Sequence, residues 1–428
     1  MTTPRTLAGW LAYLETLHPK PIAMGLERVA AVTARMSIAI DCPVITVGGT
    51  NGKGSTCALL ESIYRRAGYR TGLYTSPHLA RFNERMRIDG VELEDAALVA
   101  AFDVVEAART AVATPTPLTY FEFTTLAALH RFTRERLDVL ILEVGLGGRL
   151  DAVNLVDADV AVVTAIDVDH VDYLGPTREH IGAEKAGIFR SGKRAICGDP
   201  DPPRSLLEHA QAIGAPLWRI GVDYRYAEQR TQWRYEGPVG KRHGLPHPAL
   251  RGRYQLGNAA TALAATDALA QRLPVAAAAI REGLVHVDLA GRFQVLPGRP
   301  TIVLDVAHNP HAARALADTL ATMGYHPRTF AVFGMLADKD IEAVARALAP
   351  RVDAWYVAPL PGPRGASVTR VEASLLAAGV GKEAIRRFDD VAHAFDAARA
   401  DASDADRIAA FGSFLTVAAA LVAARATR

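Results

Sequence analysis

Charge of one sign is what this sequence has least of. Its 48 Lys and Arg are almost balanced by 46 Asp and Glu, leaving a formal net charge of +2 over 428 residues. Such a chain has no long-range field for holding nucleic acid or an anionic membrane, so any phosphate recognition has to come from a local site. Cysteine is scarce too. Cys42, Cys57 and Cys197 stand far apart with no CxxC pair, which argues against a zinc site and fits a reducing compartment. No long apolar run is present: the most apolar late segment, 414–424, is well short of the roughly 20 residues of a membrane span. The N-terminus, MTTPRTLAGWLAYLETLHPK, lacks the basic start, apolar stretch and small-residue cleavage site of a signal peptide. These absences predict a cytoplasmic protein with small-molecule partners, no nucleic acid and no membrane. Lysine is also sparse, seven residues in all, so a lysine inside a glycine-rich turn is harder to dismiss as decoration.

What is present is a repeated alternation of short β-branched runs with longer segments of helical period, the pattern of a parallel sheet covered by helices. The class is α/β. At roughly 100–200 residues per domain, the length predicts two or three domains. Strands are expected at 43–47, 70–75, 138–144, 159–166 and 194–197, and helices at 55–67, 121–136 and 177–189. From 217 to 246 the texture changes to short alternating pieces such as TQWRYEG, which predicts a small antiparallel meander. Helical period returns at 256–272. The stretch 286–300, with Gly291, Pro297, Gly298 and Pro300, reads as a hinge or linker. Strand and helix then alternate again from TIVLDVAHNP at 301–310, with further strands expected at 329–334, 353–357 and 407–412.

The strongest local signal is PVITVGGTNGKGS at 43–55, an apolar strand running through a glycine-rich turn into a helix. Gly48, Gly49, Gly52 and Gly54 let backbone amides wrap an anion, the helix N-terminus adds positive potential, Lys53 adds a point charge, and a hydroxyl can reach Mg²⁺. ATP or GTP is the natural ligand. The strict GxxxxGK[ST] pattern is not met, because Val47 holds the first glycine position and Gly54 separates Lys53 from Ser55.

Polar groups then recur at strand ends. Glu143 closes an apolar run at the carboxyl edge, where α/β sheets place their ligands, and a carboxylate there suits Mg²⁺. Asp167, Asp169 and His170 are expected to end the next strand in the same way. His170 is open to two readings, metal ligand or acid–base group on one side and structural histidine on the other. Lys185, by sequence alone, is an ordinary helix lysine beside Glu184. Asp305 and His308 end a later strand, with Pro310 at a helix start. Two domains each presenting such an edge predict an active site in a cleft and closure during turnover.

Taken in order, ten segments resemble the ATP-dependent Mur ligase superfamily and, within it, the folylpolyglutamate synthase and dihydrofolate synthase family. They are GLERV at 25–29, GGTNGKGS at 48–55, YTSPHL at 74–79, LTYFEF at 118–123, EVGLGGRLDAVN at 143–154, DHVDYLG at 169–175, EKAGI at 184–188, GRYQLGNAATA at 252–262, GRFQV at 291–295 and DVAHNPHA at 305–312. The likeness covers nearly the whole chain. It implies a Mur-ligase-like P-loop ATPase domain over 1–289, a linker over 290–300, and a smaller Rossmann-like α/β domain over 301–428.

The resemblance also implies chemistry. ATP phosphorylates a carboxylate, the amino group of L-glutamate attacks the acyl phosphate, and phosphate leaves. The carboxylate belongs to 7,8-dihydropteroate or to a tetrahydrofolate, and LTYFE at 118–122 resembles the dihydropteroate-binding form. By position in the family pattern, Thr50, Asn51, Gly52, Lys53, Gly54 and Ser55 hold the ATP phosphates, and Asn258, Arg292 and Asp305 contact the nucleotide. Ser55, Ser76, Glu143 and His170 are the metal ligands of two Mg²⁺ sites, and Lys185 is a lysine carbamylated to support the second. His308 faces the phosphates, so that Lys53, Lys185, Asp305 and His308 are the catalytic set. The pterin positions are Lys20, Pro21 and Ile22, then Thr119, Tyr120, Phe121 and Glu122, then Leu150, Asp151 and Ala152. One departure is Ala23, where many relatives carry an acid. A monomer is expected by the same likeness.

Three rivals remain. A peptidoglycan ligase of the same superfamily usually carries a further α/β domain ahead of the phosphate loop, where this sequence has 47 mostly helical-looking residues before Gly48. A synthase with only one of the two folate activities is an alternative within the family. A P-loop NTPase switch, or a regulatory nucleotide-binding module, is the alternative outside it, and would not require Lys185, Asp305 and His308 together.

Overall fold

The computed structural model describes residues 4–20 and 22–426. Two compact units emerge, Met1–Ala249 with Leu256–Val287, and Leu250–Gln255 with Asp288–Arg428.

The first unit is built on β1 (Val44–Gly48), β2 (Thr71–Tyr74), β3 (Met86–Ile88), β4 (Val91–Glu92), β5 (Val139–Glu143), β6 (Val160–Val163), β7 (Arg194–Cys197) and β8 (Leu217–Arg219), in the order β4-β3-β2-β5-β1-β6-β7-β8. The strands from β2 to β8 in that order pair in parallel, whereas β3 and β4 pair antiparallel at one edge. In β1, β5 and β6 every residue is buried. Helices cover both faces of such strands, which is why VITV, VLIL and VAVV show no polar alternation. A cluster of Trp10, Phe102 and Phe123, with ring centroids 5.7–5.9 Å apart, anchors one helical layer.

Strand order decides where a ligand can sit. The chain leaves β1 towards β2 on one side and returns to its other side at β6, so the carboxyl end of β1 is a switch point of the sheet. The helix α1 (Lys53–Arg66) starts there. Three further helices matter for the site: α2 (Tyr120–Phe132), α3 (Arg178–Ala186) and α4 (Gln255–Ala268). Thr119 and Glu122 cap α2 reciprocally, each side chain taking the other's backbone N–H.

One expected strand is shorter than its sequence. Instead of running to Ile166, β6 stops at Val163, because Thr164 turns its hydroxyl onto the carbonyls of Gly48 (3.1 Å) and Asn51 (2.7 Å). Asp167, Asp169 and His170 therefore do not end a strand but ride on the loop beyond it. The expected meander is also trimmed: β8 joins the main sheet, and only β9 (Arg225–Glu228), β10 (Trp233–Gly237) and β11 (Gly240–Leu245) form the separate antiparallel sheet. It is fastened to α4 through Tyr235 Oη donating to Asp267 (2.9 Å) and the Arg242–Asp267 ion pair.

The second unit holds β12 (Gln294–Leu296), β13 (Thr301–Asp305), β14 (Thr329–Phe333), β15 (Ala354–Val357), β16 (Ile385–Arg387) and β17 (Arg407–Phe411), ordered β12-β13-β17-β14-β15-β16 and parallel except for β12. The stretch 290–300, expected as a linker, thus carries an edge strand whose Gln294 and Leu296 pair with Leu304 and Ile302. Its Val295 packs on the core of this unit, and that apolar contact outweighs the surrounding glycines and prolines. The helix α5 (Pro310–Thr322) opens with Asn309 capping and Pro310 in its first turn. Among the described residues no helix is long and apolar enough to cross a membrane.

Candidate active site

At the switch point the loop Gly48–Ser55 is shaped from beneath by two residues far away in sequence. Gly49 has φ 142°, and a Cβ there would lie 1.9 Å from Thr164 Oγ1. Gly52, the N-cap of α1, has φ 92°, and a Cβ there would lie 2.6 Å from Asn258 Oδ1 on α4. Both positions demand glycine for conformation and for space. Gly52 brings no capping side chain, so the first turn of α1 presents its amides to an anion, with Ser55 buried in that turn.

Two amines converge on the same loop. Lys53 Nζ donates to the carbonyls of Gly49 (3.0 Å) and Thr50 (3.2 Å), and Lys185 Nζ donates to Gly49 O (2.8 Å). Lys185 is 4% exposed. Burial, reinforced by the neighbouring Lys53 charge and opposed by Asp169 and Asp151, pushes its pKa down to about 7. A sizeable share is therefore uncharged near neutrality, and an uncharged amine is the form that reacts with carbon dioxide. The helix α3 is locked to the glycine turn after β5 by Arg149, whose N–H donates to Glu184 O (2.9 Å) and whose guanidinium pairs with the Glu184 carboxylate (2.7 Å).

Beside the loop, Glu143 ends β5 directly opposite Val47 and is 4% exposed. Its Oε2 accepts from the backbone N–H of Ser76 (3.0 Å), just past β2. The loop after β6 reaches the same edge: Thr50 N donates to Ala165 O (2.6 Å), Thr50 Oγ1 donates to Asp167 O (2.9 Å), and Asp167 N donates to Thr50 Oγ1 (3.0 Å). That loop delivers His170, whose φ of 53° is rare for a residue with a side chain. The conformation is held by its N–H donating to Asp169 Oδ1 (2.9 Å). Among the described residues, no group of three or more His, Cys, Asp or Glu is placed to hold a metal. The expected ligands Ser55, Ser76, Glu143 and His170, one buried carboxylate, one imidazole and two hydroxyls, would make a sparse, oxygen-rich donor set. It fits Mg²⁺ or Mn²⁺ completed by water and phosphate better than a metal needing a full protein cage.

The pterin-side residues divide. Pro21 lies outside the described residues, Lys20 is exposed and Ile22 half-buried. Tyr120 and Phe121 sit in an aromatic cluster, Tyr120 against Phe82 (6.2 Å) with the Arg85 guanidinium 5.5 Å from its ring, and Phe121 against Tyr74 (6.1 Å). Asp151 is buried next to half-buried Leu150 and buried Ala152. It accepts from Leu146 N (2.8 Å) and Val153 N (3.0 Å), and burial pushes its carboxyl up to about 6 against those donors. Glu122 faces inward. One oxygen takes Thr119 N (2.7 Å) and the other takes Arg28 (2.7 Å), which also donates to Ala23 O (2.8 Å). Glu122→Ala should therefore cost about 3 kcal/mol of stability by orphaning Arg28 and one end of α2. Urea unfolding checks this, and a raised dihydropteroate KM at unchanged stability would instead put the carboxylate on the substrate.

In the second unit, Asp305 ends β13 and accepts from Phe293 N and Ala307 N, both at 2.8 Å. Burial pushes its carboxyl up while Arg292 opposes the shift. The Arg292 guanidinium lies 5.1 Å from the Phe414 ring, and the His308 ring 6.2 Å from it. His308 Nδ1 is 2.8 Å from Val306 O. A carbonyl can only accept, so Nδ1 carries the proton, and Nε2 is the acceptor of the neutral ring. Sequence reasoning did not single out Thr164, Arg28, Arg85 or Phe414. Only Arg28, inside GLERV, belonged to one of the ten segments that carry the family likeness.

Known proteins resemble this chain along nearly its whole length. A family model described as the Mur ligase middle domain matches residues 47–266, and one described as the Mur ligase glutamate ligase domain matches 291–414. The chain is 50% identical over 413 residues to the dihydrofolate synthase/folylpolyglutamate synthase of Escherichia coli, covering 96% of this chain and 94% of that one. It is 34% identical to the protein of the same name from Mycobacterium tuberculosis, covering 85% and 79%. Among solved structures, E. coli FolC in complex with DHPP and ADP superposes with a TM-score of 0.93 at 49% identity over 100% of both chains. The bifunctional Yersinia pestis enzyme complexed with AMPPNP and Mn superposes with a TM-score of 0.90 at 47% identity, covering 99% and 100%.

Proposed function

Because this chain belongs to the dihydrofolate synthase/folylpolyglutamate synthase family of Mur ligases and is an ATP-dependent glutamate ligase, we propose that it joins L-glutamate first to 7,8-dihydropteroate and then to reduced folates, using the loop after β1 as its phosphate site. The observation that carries this reading is the convergence on that loop of Lys53, Lys185, the loop bearing His170 and the Glu143 strand end. A nucleotide switch gives no reason for a second buried amine there.

In the proposed sequence, an oxygen of the substrate carboxylate attacks the γ-phosphorus of ATP, the bond to the β-phosphate oxygen breaks, and ADP leaves an acyl phosphate. The glutamate nitrogen then attacks the acyl carbon, the carbon–oxygen bond to phosphate breaks, and the nitrogen loses a proton as the amide forms. The chain's part is positioning and charge balance. Thr50–Ser55 hold the phosphates by backbone amides and the α1 N-terminus, and Lys53 offsets charge on the group in transfer. Asn258, Arg292 and Asp305 would position the nucleotide, and His308 would present a ring nitrogen to its phosphates. Ser55, Ser76, Glu143 and His170 would hold the divalent metal, at two sites, and that metal when bound neutralises phosphate charge. Uncharged Lys185 would take up carbon dioxide and release a proton, which turns a buried amine into an anion able to support the second metal. Thr119–Phe121 with Leu150–Ala152 would face the pterin. We assign the ATP-binding role to the part up to residue 289 and the glutamate-ligase role to the part from 301, acting in a cytoplasmic monomer.

Mg²⁺- and ATP-dependent phosphate release with L-glutamate, measured with dihydropteroate, with tetrahydrofolate and with neither, tests the reading when products are weighed by mass spectrometry. Addition of one glutamate mass to each substrate is expected. Addition to one substrate alone would make this a single-activity synthase, and release without either would leave an NTPase.

A further inference from the structure

The loop that delivers His170 has little structure of its own, yet one of its residues is gripped on both sides. Ile166 donates its backbone N–H to Asp199 Oδ2 (2.7 Å), and its carbonyl accepts from Arg178 Nε (3.0 Å). Arg178 Nη2 pairs with the same Asp199 Oδ2 (3.2 Å) and donates to Asp201 O (2.7 Å), while Nη1 pairs with the Asp201 carboxylate (3.2 Å). Asp199 is buried, and its other oxygen accepts from Asp201 N (2.9 Å). Three segments are thus tied at one residue: the start of the loop after β6, the loop after β7, and the first turn of α3, which carries Lys185 two turns later.

We propose that Arg178 and Asp199 are positioning residues for the divalent metal, acting through the backbone of Ile166. The neighbouring bonds make the route short. Next along the chain, Asp167 is pinned to Thr50 of the phosphate loop, and His170 follows three residues on in its left-handed conformation. A left-handed residue with a side chain persists only where its surroundings over-determine it. The grip on Ile166 is such a surrounding, since it fixes both backbone polar groups of one residue. A guanidinium suits the task because its planar fork reaches two carbonyls and two carboxylates at once, four acceptors against the three donors of an ammonium. Neither residue belongs to the ten segments that carry the family likeness.

The inference rests on His170 being a metal ligand, so the test measures both. Mn²⁺ binding is followed by electron paramagnetic resonance, with the nonhydrolysable AMPPNP present, in the full chain and its variants, alongside ADP affinity without metal and thermal unfolding. Arg178→Gln should weaken Mn²⁺ binding by roughly 10–100-fold, the range for groups that orient a metal ligand, with metal-free ADP affinity unchanged within about twofold. If His170→Ala lowers Mn²⁺ affinity but Arg178→Gln lowers only the unfolding temperature, the pair is structural and the proposal falls. If His170→Ala also leaves Mn²⁺ binding intact, the ligand reading itself fails and takes the proposal with it. Should Arg178→Gln not fold, Arg178→Lys keeps the buried Asp199 compensated while losing the fork, and the same weakening is expected of it.

Discussion

Lys185→Ala should lower kcat/KM for both ligations by on the order of 10²–10³-fold, the scale of one preorganised charge at a phosphoryl-transfer site, while ADP affinity changes only a few-fold. The amine is buried against Gly49 O rather than spread along the phosphate loop, and Lys53 remains to hold the nucleotide. Two kinds of small molecule separate the possible roles. If the working group is a carbamate, formate or acetate entering the vacated space should restore part of the rate. If it is an ammonium, ethylamine should do so and the acids should not. Near-normal turnover of the variant would remove Lys185 from the mechanism. Protonation supplies an independent check in carbon-dioxide-free buffer. The folded pKa of about 7 lies below the ordinary lysine value of 10.5, so between those values the unfolded chain binds a proton that the folded one does not. Stability from this group therefore rises with pH across roughly 7 to 10.5, and the burial penalty is fully present below 7. Lys185→Met should flatten that slope in a series of unfolding curves.

How far the sequence revealed this site depended on whether the physics was local. The phosphate loop was legible because strand, glycines and lysine lie within thirteen residues, and their conformational needs are written in residue type alone. Glu143 was legible for the same reason, a charge ending an apolar run. His170 was misplaced at a strand end, because nothing in AVVTAIDVDH announces that the Thr164 hydroxyl will bond to carbonyls of a loop more than a hundred residues earlier. Lys185 looked ordinary because its depressed pKa is a property of burial beside Lys53, which no neighbour in sequence supplies. Glu122 was read only as a pterin-side residue, and its capping box with Thr119, a second role, could have been found from TYFE itself. The edge strand at 294–296 shows the opposite error. Glycine and proline mark breaks reliably, but three alternating residues between breaks suffice for a strand when a neighbour's edge is open.

Gly49→Ala should abolish nucleotide binding and destabilise the first unit together, and the two losses have one cause. At φ 142° an alanine is strained wherever it points, by about 1–3 kcal/mol. Here its Cβ would also lie 1.9 Å from Thr164 Oγ1 and 3.1 Å from Thr164 N. The side-chain contact could be relieved by rotation, but that hydroxyl is what bonds Gly48 O and Asn51 O. Relief therefore dismantles the turn from below, and the Gly49 carbonyl that both lysines share moves with it. Calorimetric titration with AMPPNP and Mg²⁺ should show affinity reduced at least 100-fold, with thermal unfolding lowered in the same sample. Thr164→Ala separates the parts, since it removes the clash but not the strain. Added to Gly49→Ala it should recover some stability and little affinity, because the hydroxyl that sets the loop is then gone. A Gly49→Ala protein that binds AMPPNP within twofold of the parent would show that the phosphates are held somewhere other than this loop.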